Sequence, residues 1–370
     1  MTPLEAEIRA LIAAEGPMPL ARYMALCLGH PRHGYYLTRD PLGAAGDFVT
    51  APEVSQMFGE LLGLWAVATW QQMGMPSAFR LVELGPGRGT LMADALRAAR
   101  LVPQFGAAAR IHLVETSPVL RARQKTALAP IAPDWHDRLE DVPPGPMVLL
   151  ANEFFDALPV SQFVRGPDGW HERRVGLDGA GRLVFGADPR PSPMAAALAR
   201  RVPPPHPPGA VLEAPESGAA AAVAARLARE GGAALVIDYG YRGPLLGDTF
   251  QALRGHRFVD PLEAPGEADL TAHVDFAALA RAATGAGARA FGPLPQGEFL
   301  MRLGIVQRAE RLQQGTNASQ RKAILSALAR LAGTGKDEMG VLFKVVCLCD
   351  PGLGAPPGFA PEEAFAEPDA

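Results

Sequence analysis

The sequence predicts an α/β chain, a mostly parallel sheet covered by helices on both faces, with helices ahead of the sheet and an α+β lobe inserted into it. Three observations carry that prediction. Short apolar runs (RLVEL, IHLVE, MVLLAN and AALVIDYG) alternate with stretches of helical periodicity, the order expected of parallel strands joined by helical crossovers. The runs are nearly continuous in apolar residues, as suits strands buried on both faces. The 370 residues exceed what one simple sheet domain needs, so the core must be elaborated.

Taken in order, Leu4, Ile8, Leu11 and Ile12, then Leu20, Met24 and Leu28, stand at helical spacing and predict two short helices. Turn residues fill HPRHGYYLTRDPLGAAGDF. Thr50-Ala-Pro-Glu53 then opens a long helix through Val54, Phe58, Leu61, Leu62, Trp65 and Ala68. Residues 1–75 thus form an N-terminal helical segment and lid, and 76–160 the first part of the core. RLVEL is followed by a helix from about Thr90, and IHLVE by a helix opened by Ser117-Pro118. Residues 161–230 are an insertion: SQFV, WHERRV and RLVF, separated by PDG and DGAG turns, predict an antiparallel meander ahead of the Pro-rich VPPPHPPG. The core resumes over 231–350 with a helical insertion near 296–335, and FKVVCLC closes the sheet. Residues 351–370, rich in Pro and acidic, predict a loose tail.

Composition narrows the function classes. The formal net charge of −4 and the scattered basic residues leave no footprint for nucleic acid or an anionic membrane. No stretch has the apolar length to span a bilayer, and the N-terminus lacks a basic region followed by a long apolar run. Of the three cysteines, Cys347 and Cys349 stand two apart in a strand, so they share a face and do not suit a disulfide. These features predict a cytoplasmic protein. No His or Cys spacing matches a metal site.

Leu81-Val-Glu-Leu-Gly-Pro-Gly-Arg-Gly-Thr90 is a strand ending in an acid and three glycines before a helix. Glycines at 85, 87 and 89 let a ligand lie against the main chain. A P-loop requires Gly-Lys-Ser/Thr, and this loop has no Lys. A dinucleotide fold presents its helix N-terminus to a pyrophosphate. Glu83 would repel that group but suits the ammonium of an amino acid, so E-x-G-x-G-x-G fits S-adenosylmethionine better than NAD. Glu115 ends the second strand, where an acid can accept from both ribose hydroxyls. Its alternative is a strand-end acid leading into the Ser117-Pro118 cap.

GDFVTAPEVSQMFGELLGLW, VELGPGRGTLMADALR, VETSPVLRARQ, ANEFFDALPVSQFV and EADLTAHVDF together resemble the MidA family of class I S-adenosylmethionine-dependent methyltransferases. The resemblance runs over about residues 1–350. It implies a Rossmann-like class I methyltransferase sheet, with the insertion as a substrate lobe, and S-adenosyl-L-methionine as cofactor. It places Gly85, Gly87 and Gly89 along the cofactor, with Glu83 and Glu115 at its polar ends. It also puts the adenine-side loop at 133–141, where Trp135 either stacks on the base or is plain core, and His136, Asp137 or Asp141 reads it. Eukaryotic members are mitochondrial complex I assembly factors that methylate arginine on the 49 kDa subunit. The implied activity is therefore protein arginine methylation, with a 49 kDa-type complex I subunit as partner. Another protein or small-molecule acceptor, or a non-catalytic cofactor-binding assembly factor, are the alternatives.

On the acceptor side, Asn152 belongs with the cofactor set, and Glu153 and Asp156 follow the fourth strand. A guanidinium is protonated and poorly nucleophilic, with a pKa above roughly 12. Carboxylates can grip it through forked hydrogen bonds and accept its proton. Asp156 as a turn cap is the alternative. Asp47 is the third candidate catalytic carboxylate, with Phe48 covering the cofactor, whereas Thr50-x-x-Glu53 fits a structural capping box. Asp238, Asp269 and His273 are further candidates at the same sheet edge.

Overall fold

The computed structural model describes residues 1–38, 49–243 and 245–366. Its central sheet has seven principal strands: β1 (Phe79–Leu84), β2 (Ala109–Val114), β3 (Asp134–His136), β4 (Met147–Asn152), β5 (Gly232–Tyr241), β6 (Arg289–Pro295) and β7 (Phe343–Cys349). They lie in the order β6-β7-β5-β4-β1-β2-β3. The pairs from β5 through β4, β1 and β2 to β3 are parallel, and β7 runs antiparallel between β5 and β6. The short Val274–Asp275 strand pairs in parallel with the carboxyl end of β5.

The apolar runs are two-faced, as their composition requires. Along β4, Val148 and Leu150 join the core on one side, and Leu149 and Ala151 the core on the other. In β7, Val345, Cys347 and Cys349 face one way, Val346 and Leu348 the other. The shared face predicted for Cys347 and Cys349 is present, and both thiols are free and buried. Helices Gln56–Gln72 and Thr90–Ala99 bury the first face, and Gly218–Glu230 and Phe276–Gly285 the second.

The predicted meander is formed by Val160–Arg165, Trp170–Leu177 and Leu183–Pro191, to which Val211–Pro215 adds a fourth strand. Its middle strand, Trp170–Leu177, is also paired by Met18–Pro19, two residues between the N-terminal helices. Leu4, Ile8, Tyr23 and Met24 share a core with Val160 and Val175. The N-terminal helices and the insertion are therefore one packed layer beside the site.

Two expectations are corrected. The long helix begins at Gln56, not Thr50: Ser55 is extended (φ −164°, ψ 142°), and its hydroxyl accepts from the Met57 amide at 3.2 Å. Ala51–Val54 is a separate single turn. The tail is docked rather than loose up to residue 366. Trp65 Nε1 donates to the Pro357 carbonyl at 3.1 Å, the Phe365 amide to the Ala290 carbonyl at 2.8 Å, and the Phe359 ring sits 5.4 Å from that of Phe299. Three large apolar side chains, Leu353, Phe359 and Phe365, outweigh the acidic composition. Phe359→Ala therefore lowers unfolding free energy by about 3 kcal/mol in urea denaturation, whereas a loose tail would give a change near zero.

Candidate active site

The site lies at the carboxyl ends of β1 and β4, where the connections leave toward opposite faces and an open α/β sheet leaves a crevice. It is a cavity of about 470 Å³ whose wall includes Glu83, Gly85, Gly87, Glu115, Asn152 and Glu153. Leu28, Tyr36 and Leu37 close it from the N-terminal segment.

Gly85 and Gly87 have φ of 59° and 52°, a conformation in which side chains are strained. A Cβ on Gly85 would stand 3.0 Å from the Phe154 ring. The backbone here forms a smooth cradle that a side chain would fill. Gly89 does not line this cavity, contrary to its expected place along the cofactor. It caps helix Thr90–Ala99 in the left-handed conformation and passes 3.2 Å, by its missing Cβ, from Gln124.

Glu83 is 3% exposed, and its Oε2 is buried without a hydrogen bond. Burial, then the nearby Glu115 charge, pushes its carboxyl up to about 8. Asn152 Oδ1 is likewise buried and unpartnered. Two acceptors without donors on one wall suit a ligand ammonium. Glu115 accepts from the Ser117 amide at 2.8 Å and from Gln124 Nε2 at 3.1 Å, so it supports the turn and faces the cavity together.

Gln124 was not singled out from the sequence, yet it ties the region together. Its Nε2 also donates to the Gly87 carbonyl at 2.8 Å, and its Oε1 accepts from Trp135 Nε1 at 2.8 Å. Trp135 is thus turned to the core and to Gln124, and the expected stacking role is corrected. From the loop at 133–141, Asp137, Arg138, Leu139 and Glu140 line the cavity. His136 instead meets His112, Nε2 to Nδ1 at 3.0 Å.

Glu153 follows β4 with φ 51°, unusual for a residue with a side chain, and its amide continues the sheet by donating to the Ile237 carbonyl at 2.9 Å. Its Oε1 accepts from the Ala51 amide and from Asn152 Nδ2, both at 3.1 Å. Burial, then Asp156, pushes its carboxyl up to about 8.

Asp156 is not on the cavity wall, which corrects its candidacy as a carboxylate in contact with the acceptor. It is 6% exposed and accepts from the Tyr239 hydroxyl at 2.5 Å, and burial pushes it up to about 6. Asp238 is held further in, taking the amides of Phe155, Asp156 and Tyr239. Asp269 accepts from the Tyr36 hydroxyl, and His273 stacks edge-on to Tyr239; neither lines the cavity. Asp47 and Phe48 lie outside the described residues. Glu53 forms no capping box: the Thr50 side chain makes no cap hydrogen bond, and Glu53 Oε1 accepts from Thr90 Oγ1 at 2.6 Å on the cavity wall. The sequence-level signal was its place in the GDFVTAPEVSQ signature, which the capping pattern masked. Among the described residues no group of His, Cys, Asp and Glu could hold a metal ion.

Residues 61–294 match the model of a family described as putative S-adenosyl-L-methionine-dependent methyltransferases. The chain belongs to this family. The methyltransferase is 39% identical over 364 residues to "Protein arginine methyltransferase NDUFAF7, mitochondrial" of Danio rerio, covering 90% of this chain and 83% of that protein. It is 38% identical over 379 residues to the Homo sapiens protein of the same name, covering 94% and 83%. A crystal structure from Burkholderia thailandensis bound to S-adenosyl-homocysteine is similar with a TM-score of 0.86 and 32% identity, covering 98% of this chain and 95% of that one. The fold is that of class I methyltransferases, and the cofactor is S-adenosylmethionine. The cradle and the unpaired acceptors fit it.

The cytoplasmic expectation is overturned by these relatives, which are named as mitochondrial. Three free, buried cysteines do not distinguish the cytosol from the interior of an organelle. Among the described residues no helix is long and apolar enough to cross a membrane.

If a ligand ammonium pairs with Glu83, its bound state must be charged, whereas the free protein holds the proton up to about pH 8. Binding of S-adenosylhomocysteine at pH 7 then releases close to one proton, and affinity rises as pH rises toward 8. Calorimetry in buffers of different ionisation enthalpy measures this, and Glu83→Gln abolishes the release.

Proposed function

We propose that the methyltransferase modifies an arginine side chain of a protein, and that its target is the 49 kDa-type subunit of respiratory complex I, whose assembly it supports. The names of the relatives support the acceptor class. The observation in this chain that carries the reading is Glu153. It ends β4 in a left-handed backbone conformation, with one carboxylate oxygen tied by two donors and the other without a hydrogen bond among the described residues. The small net charge of −4 and the scattered basic residues favour a protein over nucleic acid.

When bound, S-adenosylmethionine supplies a sulfonium methyl group to an acceptor lone pair and leaves as S-adenosylhomocysteine. Glu83 and Asn152 would hold its amino-acid end, Gly85 and Gly87 its length, and Glu115 the ribose hydroxyls. Glu153 would orient the guanidinium by charge-assisted hydrogen bonds and take the proton released from the attacking nitrogen. Tyr36, fixed by its hydroxyl bond to Asp269 at 2.7 Å, and Leu28 would exclude water from the acceptor end.

Glu153 must be charged to do this, yet in the free enzyme burial keeps it protonated to about pH 8. Below that value the fraction able to receive the acceptor falls tenfold per pH unit. The expected kcat/KM for a peptide acceptor therefore rises with pH and levels above about 8. Glu153→Gln removes that limb and lowers kcat by about 100-fold or more. A full-rate variant with an unchanged profile would exclude Glu153 from the chemistry. Mass spectrometry of the respiratory complex from a deletion strain tests the target: loss of arginine methylation on that subunit is expected, and unchanged methylation would refute it.

A further inference from the structure

We propose that Glu53 is a second acceptor-binding carboxylate, which together with Glu153 forms a two-sided grip on the guanidinium. This inference rests on the arginine reading above and adds a residue to it. The single turn Ala51–Val54 is pinned to the acceptor end by its first amide, which donates to Glu153 Oε1 at 3.1 Å. Glu53, two residues on, lines the same cavity. The two carboxylates thus hang from one short segment and the end of one strand.

Each is half committed. Glu153 uses Oε1 for its two protein donors, and Glu53 uses Oε1 for the Thr90 hydroxyl at 2.6 Å. Oε2 of each carries no hydrogen bond among the described residues; that of Glu53 is in a long ion pair with Arg88 Nη1 at 3.9 Å, beyond hydrogen-bond reach, so it can still accept from an incoming guanidinium. The Glu53 side chain is 21% exposed. The cavity is a ligand site on independent grounds, since Glu83, 3% exposed, turns an unpaired oxygen onto the same wall.

A single carboxylate satisfies two of the five N–H groups of a guanidinium. A second carboxylate, approaching from another side, satisfies others and restrains rotation of the plane, leaving one nitrogen to be aligned for attack. An ammonium, a point charge without that fork, gains less from the arrangement. Thr90 opens the helix that follows the glycine loop, so its bond to Glu53 links the acceptor grip to the cofactor loop.

The test uses the full chain saturated with S-adenosylhomocysteine and two probes, N-acetyl-arginine amide and N-acetyl-lysine amide, with affinities read by ligand NMR titration. The wild type is expected to prefer the arginine probe by about tenfold. Glu53→Gln, which can still accept from Thr90, should remove most of that preference and weaken the arginine probe about tenfold, with S-adenosylhomocysteine affinity unchanged. Glu53→Asp should fall between. Thr90→Val, which removes the hydroxyl but leaves the carboxylate, should keep most of the preference. In turnover with an arginine peptide, Glu53→Gln should raise KM more than it lowers kcat.

Wild-type affinity for the arginine probe in Glu53→Gln, alongside a loss in Glu153→Gln, would overturn this inference while leaving the arginine reading intact. Equal losses in Glu53→Gln and Thr90→Val, accompanied by weaker S-adenosylhomocysteine binding, would also overturn it, because Glu53 would then only hold the segment to the loop. A wild type with no preference for the arginine probe would overturn both.

Discussion

The acids buried at the carboxyl edge of the parallel sheet are the constraint around which the rest of the structure is arranged. Glu83 on β1 and Asp238 on β5 are buried there, the half-buried Glu153 follows the end of β4, and among the described residues none is in a salt bridge. A charge in such a place is costly unless it is hydrogen-bonded or paired, so burial pushes all three carboxyls upward. Asp238 is compensated from within by three backbone amides. Among the described residues Glu83 and Glu153 each retain an oxygen without a hydrogen-bond donor. What compensates them has to arrive, and both halves of the proposed chemistry bring cations: an ammonium at one end and a guanidinium at the other.

That electrostatic demand explains why so much chain is folded over one edge. The single turn at Ala51–Val54 donates an amide to Glu153 and sends Glu53 to Thr90. The N-terminal helices share a core with the inserted meander and bring Leu28 and Tyr36 to the cavity. These additions lower the local dielectric and shut out water, which strengthens each polar contact made inside. Of the elaboration inferred from length alone, the N-terminal segment is the part that reaches the cavity wall.

Much of the fold was legible because the information is local. The apolar runs that became β1, β2, β4, β5 and β7 carry their two-faced burial in their composition, and the glycine loop carries its torsions in its own residues. Less was legible where long-range contacts decide. The acidic, Pro-rich tail read as loose, yet its Phe359 packs against the rings of Phe291 and Phe299, and its Pro357 carbonyl accepts from the Trp65 indole, 292 residues away. The capping pattern at Thr50 was a sound local signal that lost to two distant partners: Glu153 took the Ala51 amide and Thr90 took the Glu53 carboxylate. Trp135 stood at the right point in the chain for a base-stacking residue, but its strand turned it toward the core, where Gln124 accepts its N–H.

The sequence by itself determined the parallel sheet, the cradle of glycines and the presence of acids at the ends of β1, β2 and β4, because period and loop chemistry act over a few residues. Only the tertiary structure decided which carboxylates reach the cavity. Asp156 lies three residues after Glu153, but the Tyr239 hydroxyl and the buried Asp238 draw it behind the wall, while Glu53, a hundred residues earlier, is brought onto it. Where a side chain points after a strand ends depends on which donor lies within reach, and these donors come from segments that meet only when the chain is folded.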